Sequence, residues 1–216
     1  MEEIKRIYED EYIVVCVKPA GVQSEDGKQP GMPSLLSENG KKPYVVHRLD
    51  KEVGGLMVFA KSKSVAASLS AQIQSGNFKK EYLSVVEGVI EENGRYEDLL
   101  FHDRNRNKTY VVDRERKGVK KAVLEFNRLS TVSHKETNLS LVRIKLETGR
   151  THQIRVQFGS RKHPVFGDRK YGSKGTDYFS LFSCYLRFIH PVNNSYLEYE
   201  FNPFEQYPWN LFKNDM

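Results

Sequence analysis

The chain has 216 residues, of which 38% are hydrophobic and 29% charged, and its net charge of +6 gives a pI near 9.1. A chain of this length can bury roughly 70% of its unfolded surface, so it needs no disulfide or metal staple to fold as one domain or two small ones. The basic balance favours a polyanionic partner such as nucleic acid, with a merely solubilising surface as the plainer alternative. The N-terminal "MEEIKRIYEDEYIVV" mixes acids and bases without an apolar core, so no signal peptide is expected. No apolar run approaches the roughly 20 residues that span a bilayer, so a cytoplasmic protein with no membrane partner is expected. The two cysteines, Cys16 and Cys184, lie far apart in apolar segments and read as buried free thiols, not as a disulfide or metal pair.

In chain order, "YIVVCV" (Tyr12 to Val17) is a β-branched run stopped by Lys18-Pro19-Ala20-Gly21, a strand followed by a turn. Residues 23–43 are rich in Gly, Pro and polar side chains and read as a long loop. "YVVHRLD" and "GLMVFAKS" are the next strand-like pieces. In "SKSVAASLSAQIQSG", Val65, Leu69 and Ile73 recur every four residues, which predicts a helix with Ser64 as N-cap and Gly76 as C-cap. "KEYLSVVEG" is a strand ended by Gly88, and "TYVVD", "AVLEF" and "LSLVRIKLE" are further strands. Ala122, Leu124 and Phe126 recur at every second position, and in "SYLEYEF" Leu197, Tyr199 and Phe201 alternate with two glutamates. Many strands, few helices and no βαβ alternation predict an α+β fold on a largely antiparallel mixed sheet, with one domain over residues 1–216. The stretch from His102 to Lys121 carries eight Lys/Arg against three acids, which fits a solvated hairpin face or, given the whole-chain charge, a phosphate-contacting patch.

"VVHRLDKEVGGLMVFAKS" sets the polar His47-Arg48-Leu49-Asp50 between two apolar segments. A kinase catalytic loop orders these residue types differently, and no Gly-rich nucleotide loop or DFG accompanies them. The six histidines show no short metal-ligand spacing, and no Gly-x-Ser-x-Gly elbow is present, so neither a metal site nor a serine hydrolase is indicated. "LETGRTHQIRVQFG" (Leu146 to Gly159) passes from a strand into a helix expected to start at Thr151. Its Arg150 and Arg155 could face a carboxylate or lie solvated on a surface helix.

Taken together, these segments resemble the RluA-like RNA pseudouridine synthases over nearly the whole chain. "HRLDKEVGGLMVFAKS" is similar to that family's catalytic motif, "KKEYLSVVEG" to its Lys-x-Tyr motif, and "LETGRTHQIRVQF" to its arginine motif. "VCVKPAGVQ", "HPVFGDRKYG" and "FIHPVNNSYLEYEFNPFEQYPW" resemble an early strand-turn element and two later His-Pro segments, so six blocks stand in the family's order. The resemblance implies a pseudouridine synthase fold with an active-site cleft across the sheet, and isomerisation of uridine in rRNA or tRNA stem-loops to pseudouridine. It implies Asp50 as the catalytic carboxylate, Tyr82 stacked on the uracil and Arg155 as the guanidinium opposite the acid. A free aspartate ionises near pH 3.9, burial raises that value, and a neighbouring guanidinium opposes the rise. Arg48 would fill the space vacated by the flipped base, and His47, Arg150, Lys61, Lys79 and Lys80 complete the expected RNA contacts.

No metal or organic cofactor is implied, since the reaction is redox-neutral. A monomer is expected. Relatives commonly carry Thr-Ser-Gly where this chain has Val53-Gly54-Gly55, which puts in question contacts made by the missing hydroxyls. Many also begin with a small S4-type RNA-binding domain, whereas about eleven residues precede the first strand here, so the catalytic domain is expected to grip RNA alone. Two rivals remain at this point: an inactive RNA-binding protein of the same fold, and a phosphodiesterase using His47 and Asp50.

Overall fold

The computed structural model describes residues 3–174 and 178–215. Its strands and α-helices, in order, are β1 (Arg6–Glu9), β2 (Ile13–Lys18), α1 (Met32–Leu35), β3 (Tyr44–Val45), β4 (Gly54–Ala60), α2 (Lys63–Gln74), β5 (Lys79–Glu87), β6 (Asn93–Asp103), β7 (Lys108–Val112), β8 (Val119–His134), β9 (Thr137–Leu146), α3 (Gln153–Ser160), β10 (Leu181–Ile189) and β11 (Tyr196–Glu200). The fold is α+β, as expected. The chain divides into two compact units, Met1–Lys80 with Phe182–Asn202, and Glu81–Leu181 with Pro203–Met216. Among the described residues, no helix is long and apolar enough to cross a membrane.

The first unit is built around β4, which is buried at every position. It pairs antiparallel with β2 and β3 and parallel with β10 through Phe182 and Ser183, so this sheet is mixed. Strand β1 extends it beyond β2, and β11 extends it beyond β10. The 3.6-residue spacing that predicts α2 puts Val65 and Leu69 against Ile13, Leu56, Val58 and Phe188. Side chains such as Leu69 and Phe188 are fully buried, and each contributes about 1.5–3 kcal/mol. The N-cap of α2 is Ser62, accepting from the Val65 N–H at 3.3 Å, and not Ser64. Ser75 is the C-cap, and Gly76 follows it at φ +76°, a conformation favouring glycine.

The loop expected over 23–43 contains the single turn of α1. Asp26 organises it, accepting from the Gly31 N–H at 2.8 Å and from Lys42 at 2.9 Å. In "YVVHRLD" only Tyr44 and Val45 are strand. The rest is an irregular loop, because its polar residues bond to side chains and turns instead of a ladder.

The second unit is an antiparallel sheet in the order β5-β9-β8-β6-β7. The basic stretch from His102 to Lys121 forms the β6–β7 hairpin and the start of β8. Helix α3 packs on this sheet through Phe158, which contacts Tyr96 at 5.1 Å and Phe126 at 5.5 Å between ring centres. The helix starts two residues later than expected, because His152 takes a left-handed conformation at φ 55° ahead of Gln153. Cys16 and Cys184 are buried and unbridged, and burial pushes the Cys16 thiol up to about 12.

Candidate active site

In the first unit, the segment after β3 alternates by side: His47 and Leu49 are buried, Arg48 is exposed and Asp50 is half-buried. Three devices hold this segment. Ser24, itself buried, accepts from the Leu49 N–H at 2.9 Å and donates to the Leu49 carbonyl at 2.7 Å. The Val53 N–H donates to the Asp50 carbonyl at 3.0 Å, closing a tight turn directly after the acid. The third device is Lys18, whose side chain is fully buried. Its ammonium donates to the carbonyls of Pro19, Val22 and Lys51 at 3.0, 2.6 and 3.1 Å, stapling the Lys-Pro-Ala-Gly turn to the turn that follows Asp50. Burial pushes Lys18 down to about 8, opposed by the charges of Glu52 and Asp50.

His47 lies beneath the loop. Its Nε2 accepts from the Val58 N–H at 3.3 Å, and its ring packs 5.4 Å from that of Phe78. Burial, reinforced by the Lys80 charge, holds the imidazole well below its usual pKa and therefore neutral. The ring is 6% exposed, so His47 braces the strand below it, while Arg48 points outward and pairs with Glu25 at 3.0 Å. The glycine pair is explained by β10. A side chain on Gly55, at φ +119°, would overlap the Ser183 backbone, and a Cβ on Gly54 would sit 3.3 Å from the Phe182 ring.

In the second unit, the arginine segment is pinned from both ends. Thr148 accepts from the Val123 N–H at 2.8 Å and donates to Gln153 Oε1 at 2.8 Å, and the same oxygen accepts from the Arg150 N–H at 3.0 Å. In the first turn of α3, Arg155 is 4% exposed and forks onto Asp168, which is 2% exposed, with Nε–Oδ2 at 2.6 Å and Nη2–Oδ1 at 2.9 Å. The Tyr171 and Phe179 rings lie 5.2 and 4.9 Å from the guanidinium carbon. Tyr171 is fixed in turn: its hydroxyl accepts from the Thr109 N–H at 2.8 Å and bonds His152 Nδ1 at 2.8 Å. Tyr82 is buried on β5, opposite Ile144 of β9.

Within their own units, the expected residues fall into different settings. Arg150 is exposed at the mouth of the arginine segment, its Nε–H given to the Lys121 carbonyl at 2.9 Å. Lys61 pairs with Glu9 at 2.5 Å. Lys79 and Lys80 open β5 half-buried, and burial pushes Lys80 down. Lys18 and Asp168 were not singled out from the sequence. A lysine closing an apolar strand ahead of Pro-Ala-Gly was the available signal for the first. For Asp168, only its place inside "HPVFGDRKYG" pointed anywhere.

A family model for RNA pseudouridylate synthase matches residues 12–160, a span that includes Asp50, Tyr82 and Arg155. An Aquifex aeolicus protein named as an uncharacterized RNA pseudouridine synthase is 34% identical over 222 residues, covering 91% of this chain and 68% of its own. The ribosomal large subunit pseudouridine synthase D of Pseudomonas aeruginosa is 39% identical over 183 residues, covering 80% of this chain and 54% of the relative. The chain thus spans between about half and two-thirds of the length of these curated relatives. Among solved structures, human RNA pseudouridylate synthase domain containing 1 shares the fold, with a TM-score of 0.80 at 21% identity over 95% of this chain and 86% of that one.

Proposed function

Since this chain belongs to the RNA pseudouridylate synthase family, whose members are isomerases acting on RNA, we propose that it converts uridine in structured RNA to pseudouridine with Asp50 as the catalytic carboxylate. The observation that carries this reading is the way Asp50 is held. A half-buried acid sits on a loop fixed by a buried serine, a closed turn and a buried lysine, a degree of order that a solvated turn residue does not need.

The reaction keeps its atoms. The bond from C1′ to N1 breaks, the uracil turns while held, C5 bonds to C1′, and the proton lost from C5 is balanced by one gained at N1. The reading gives Asp50 the step that breaks the glycosidic bond, Tyr82 the stacking on the displaced base and Arg155 the counter-charge to the carboxylate. Base–aromatic stacking supplies about 1–3 kcal/mol, which offsets the few kcal/mol needed to flip the base. Arg48, the exposed member of the loop, takes the space the base leaves. The same reading has residues 1–216 acting as one catalytic domain of a cytoplasmic, monomeric enzyme. The burial of His47 speaks against the phosphodiesterase alternative, which needs that imidazole at the phosphate.

The test is to incubate the protein with rRNA and tRNA from a strain lacking it and to map carbodiimide-dependent stops of reverse transcription. Wild type is expected to add stops at defined uridines, and Asp50→Asn to add none, a loss of at least ~10³-fold in rate. Equal stops from both proteins would remove Asp50 from the reaction. Shortened RNA would replace the isomerase by a nuclease.

A further inference from the structure

Several cations of the second unit are matched by carboxylates: Arg95 with Glu147 at 3.2 Å, Arg143 with Glu81 at 2.6 Å, Arg161 with Asp98 at 2.9 Å, and Lys121 with Glu97. Arg104, Lys120 and Arg150 are different. Among the described residues, none of the three has a carboxylate partner, although Lys120 is next in sequence to the paired Lys121. All three line a single pocket of about 560 Å³ between the β6–β7 hairpin, the start of β8 and the Gly149-Arg150-Thr151 segment.

The acid in the pocket wall, Asp103, is already engaged. Its Oδ1 accepts from the Asn105 and Arg106 N–H groups at 2.9 and 3.1 Å, so it closes the hairpin. Phe101 adds an aromatic wall, with the Arg116 guanidinium 4.8 Å from its ring centre. Three unmatched cations around one concavity form an anion site, and an aromatic wall beside them suits a base. The volume falls within the ~300–1,000 Å³ typical of pockets for single small ligands.

We propose that this pocket binds one unpaired nucleotide of the RNA in addition to the reacting uridine, its phosphate held by Arg104, Lys120 and Arg150 and its base against Phe101. The proposal rests on the reading of the chain as an RNA-modifying enzyme and extends it to a second contact that discriminates among RNA loops by shape.

The test uses the full chain and a fragment of rRNA or tRNA that wild type binds. Binding is measured between 50 and 200 mM KCl for wild type and for the Arg104→Glu/Lys120→Glu double variant. The variant is expected to bind ~10-fold more weakly, with a log–log salt slope shallower by about 0.7 for the one lost phosphate contact on single-stranded RNA. Weaker binding with an unchanged slope, or unchanged binding by a folded variant, would overturn the pocket. Photo-crosslinking of wild type to RNA carrying 5-bromouridine gives a readout independent of the variant's folding. Crosslinks are expected within 101–105, and crosslinks confined to other peptides would also overturn the proposal. Pseudouridine formation by wild type is scored on the same RNA. Its absence despite pocket crosslinks would remove the function reading and leave the pocket, whereas normal modification with no pocket effect would remove the pocket alone.

Discussion

The Asp50 loop and the Arg155 helix both keep a cation out of water, and they do so by opposite means. Lys18 is surrounded by three neutral carbonyls, which satisfy its hydrogens without matching its charge. Arg155 faces a carboxylate in a two-pronged ion pair and is flanked by two aromatic rings. Dipoles leave the desolvation cost showing, which is why burial brings Lys18 down to about 8. A counter-charge offsets that cost but makes each partner depend on the other. The first arrangement is therefore responsive to pH and tolerant of change; the second is rigid and fragile.

The largest effect expected from this contrast is at Asp168. Asp168→Ala leaves a buried guanidinium without its partner and is expected to destabilise the protein by about 3–5 kcal/mol in urea unfolding. Adding Arg155→Met should recover much of that loss, since an apolar pair of similar volume needs no compensation, although activity should not return. A cost below about 1 kcal/mol for Asp168→Ala would mean the pair is not the anchor of this unit.

Lys18→Met comes next. It leaves three carbonyls short of a donor but also removes a buried charge, so a loss of about 1–3 kcal/mol at neutral pH is expected, smaller than at Asp168. The pH dependence sharpens the contrast. With a folded pKa near 8 against an unfolded value of about 10.4, the unfolded chain binds more protons between those limits. Stability from this residue is thus fully present above the unfolded value and lost as pH falls towards 8. Wild type should gain on the variant between pH 8 and 10, by at most about 1.4 kcal/mol per pH unit. A flat difference across that window would show that Lys18 is not the depressed cation described here.

This difference in means also governs what could be read from the sequence. Helix α2 and strand β11 were legible because each shows one face to water and one to the core, and β2, β4, β5 and β9 because each is a short apolar run bounded by turn residues. Strand β10, "LFSCYLRFI", was not, because Ser183, which is buried, and Arg187 interrupt its apolar residues and leave neither a clean alternation nor an unbroken run. In β6, "NGRYEDLLFHD", Asn93, Arg95 and Glu97 are exposed and Leu100 alone is buried, which blurs the alternation. Asp50, Tyr82 and Arg155 were found through motif order, not through their surroundings. Lys18 and Asp168 were barely legible for one physical reason: what holds each buried charge includes a partner at a distance along the chain. Here those distances run from Lys18 to Lys51 and from Arg155 to Asp168. The glycine pair gave no warning that β10 is the neighbour which excludes side chains there.

The smallest effect separates both buried cations from a third kind. Arg48 and Glu25 form an ion pair with side chains 64% and 51% exposed, where water screens the attraction and both side chains lose rotamer freedom. Glu25→Gln should therefore change stability by less than about 0.5 kcal/mol, an order of magnitude below Asp168→Ala. Its effect should appear in RNA affinity instead, because the substitution removes a negative charge beside an arginine proposed to enter the space left by the target base. A two- to three-fold tighter complex is expected at 50 mM salt and no change at 500 mM, since the Debye length falls well below 10 Å in that interval. Binding measured at the two salt concentrations, with urea unfolding in parallel, decides it. A destabilisation above about 1 kcal/mol would make Glu25 part of the loop's frame, and Arg48 would then be held as tightly as Lys18 and poorly placed to move into the RNA.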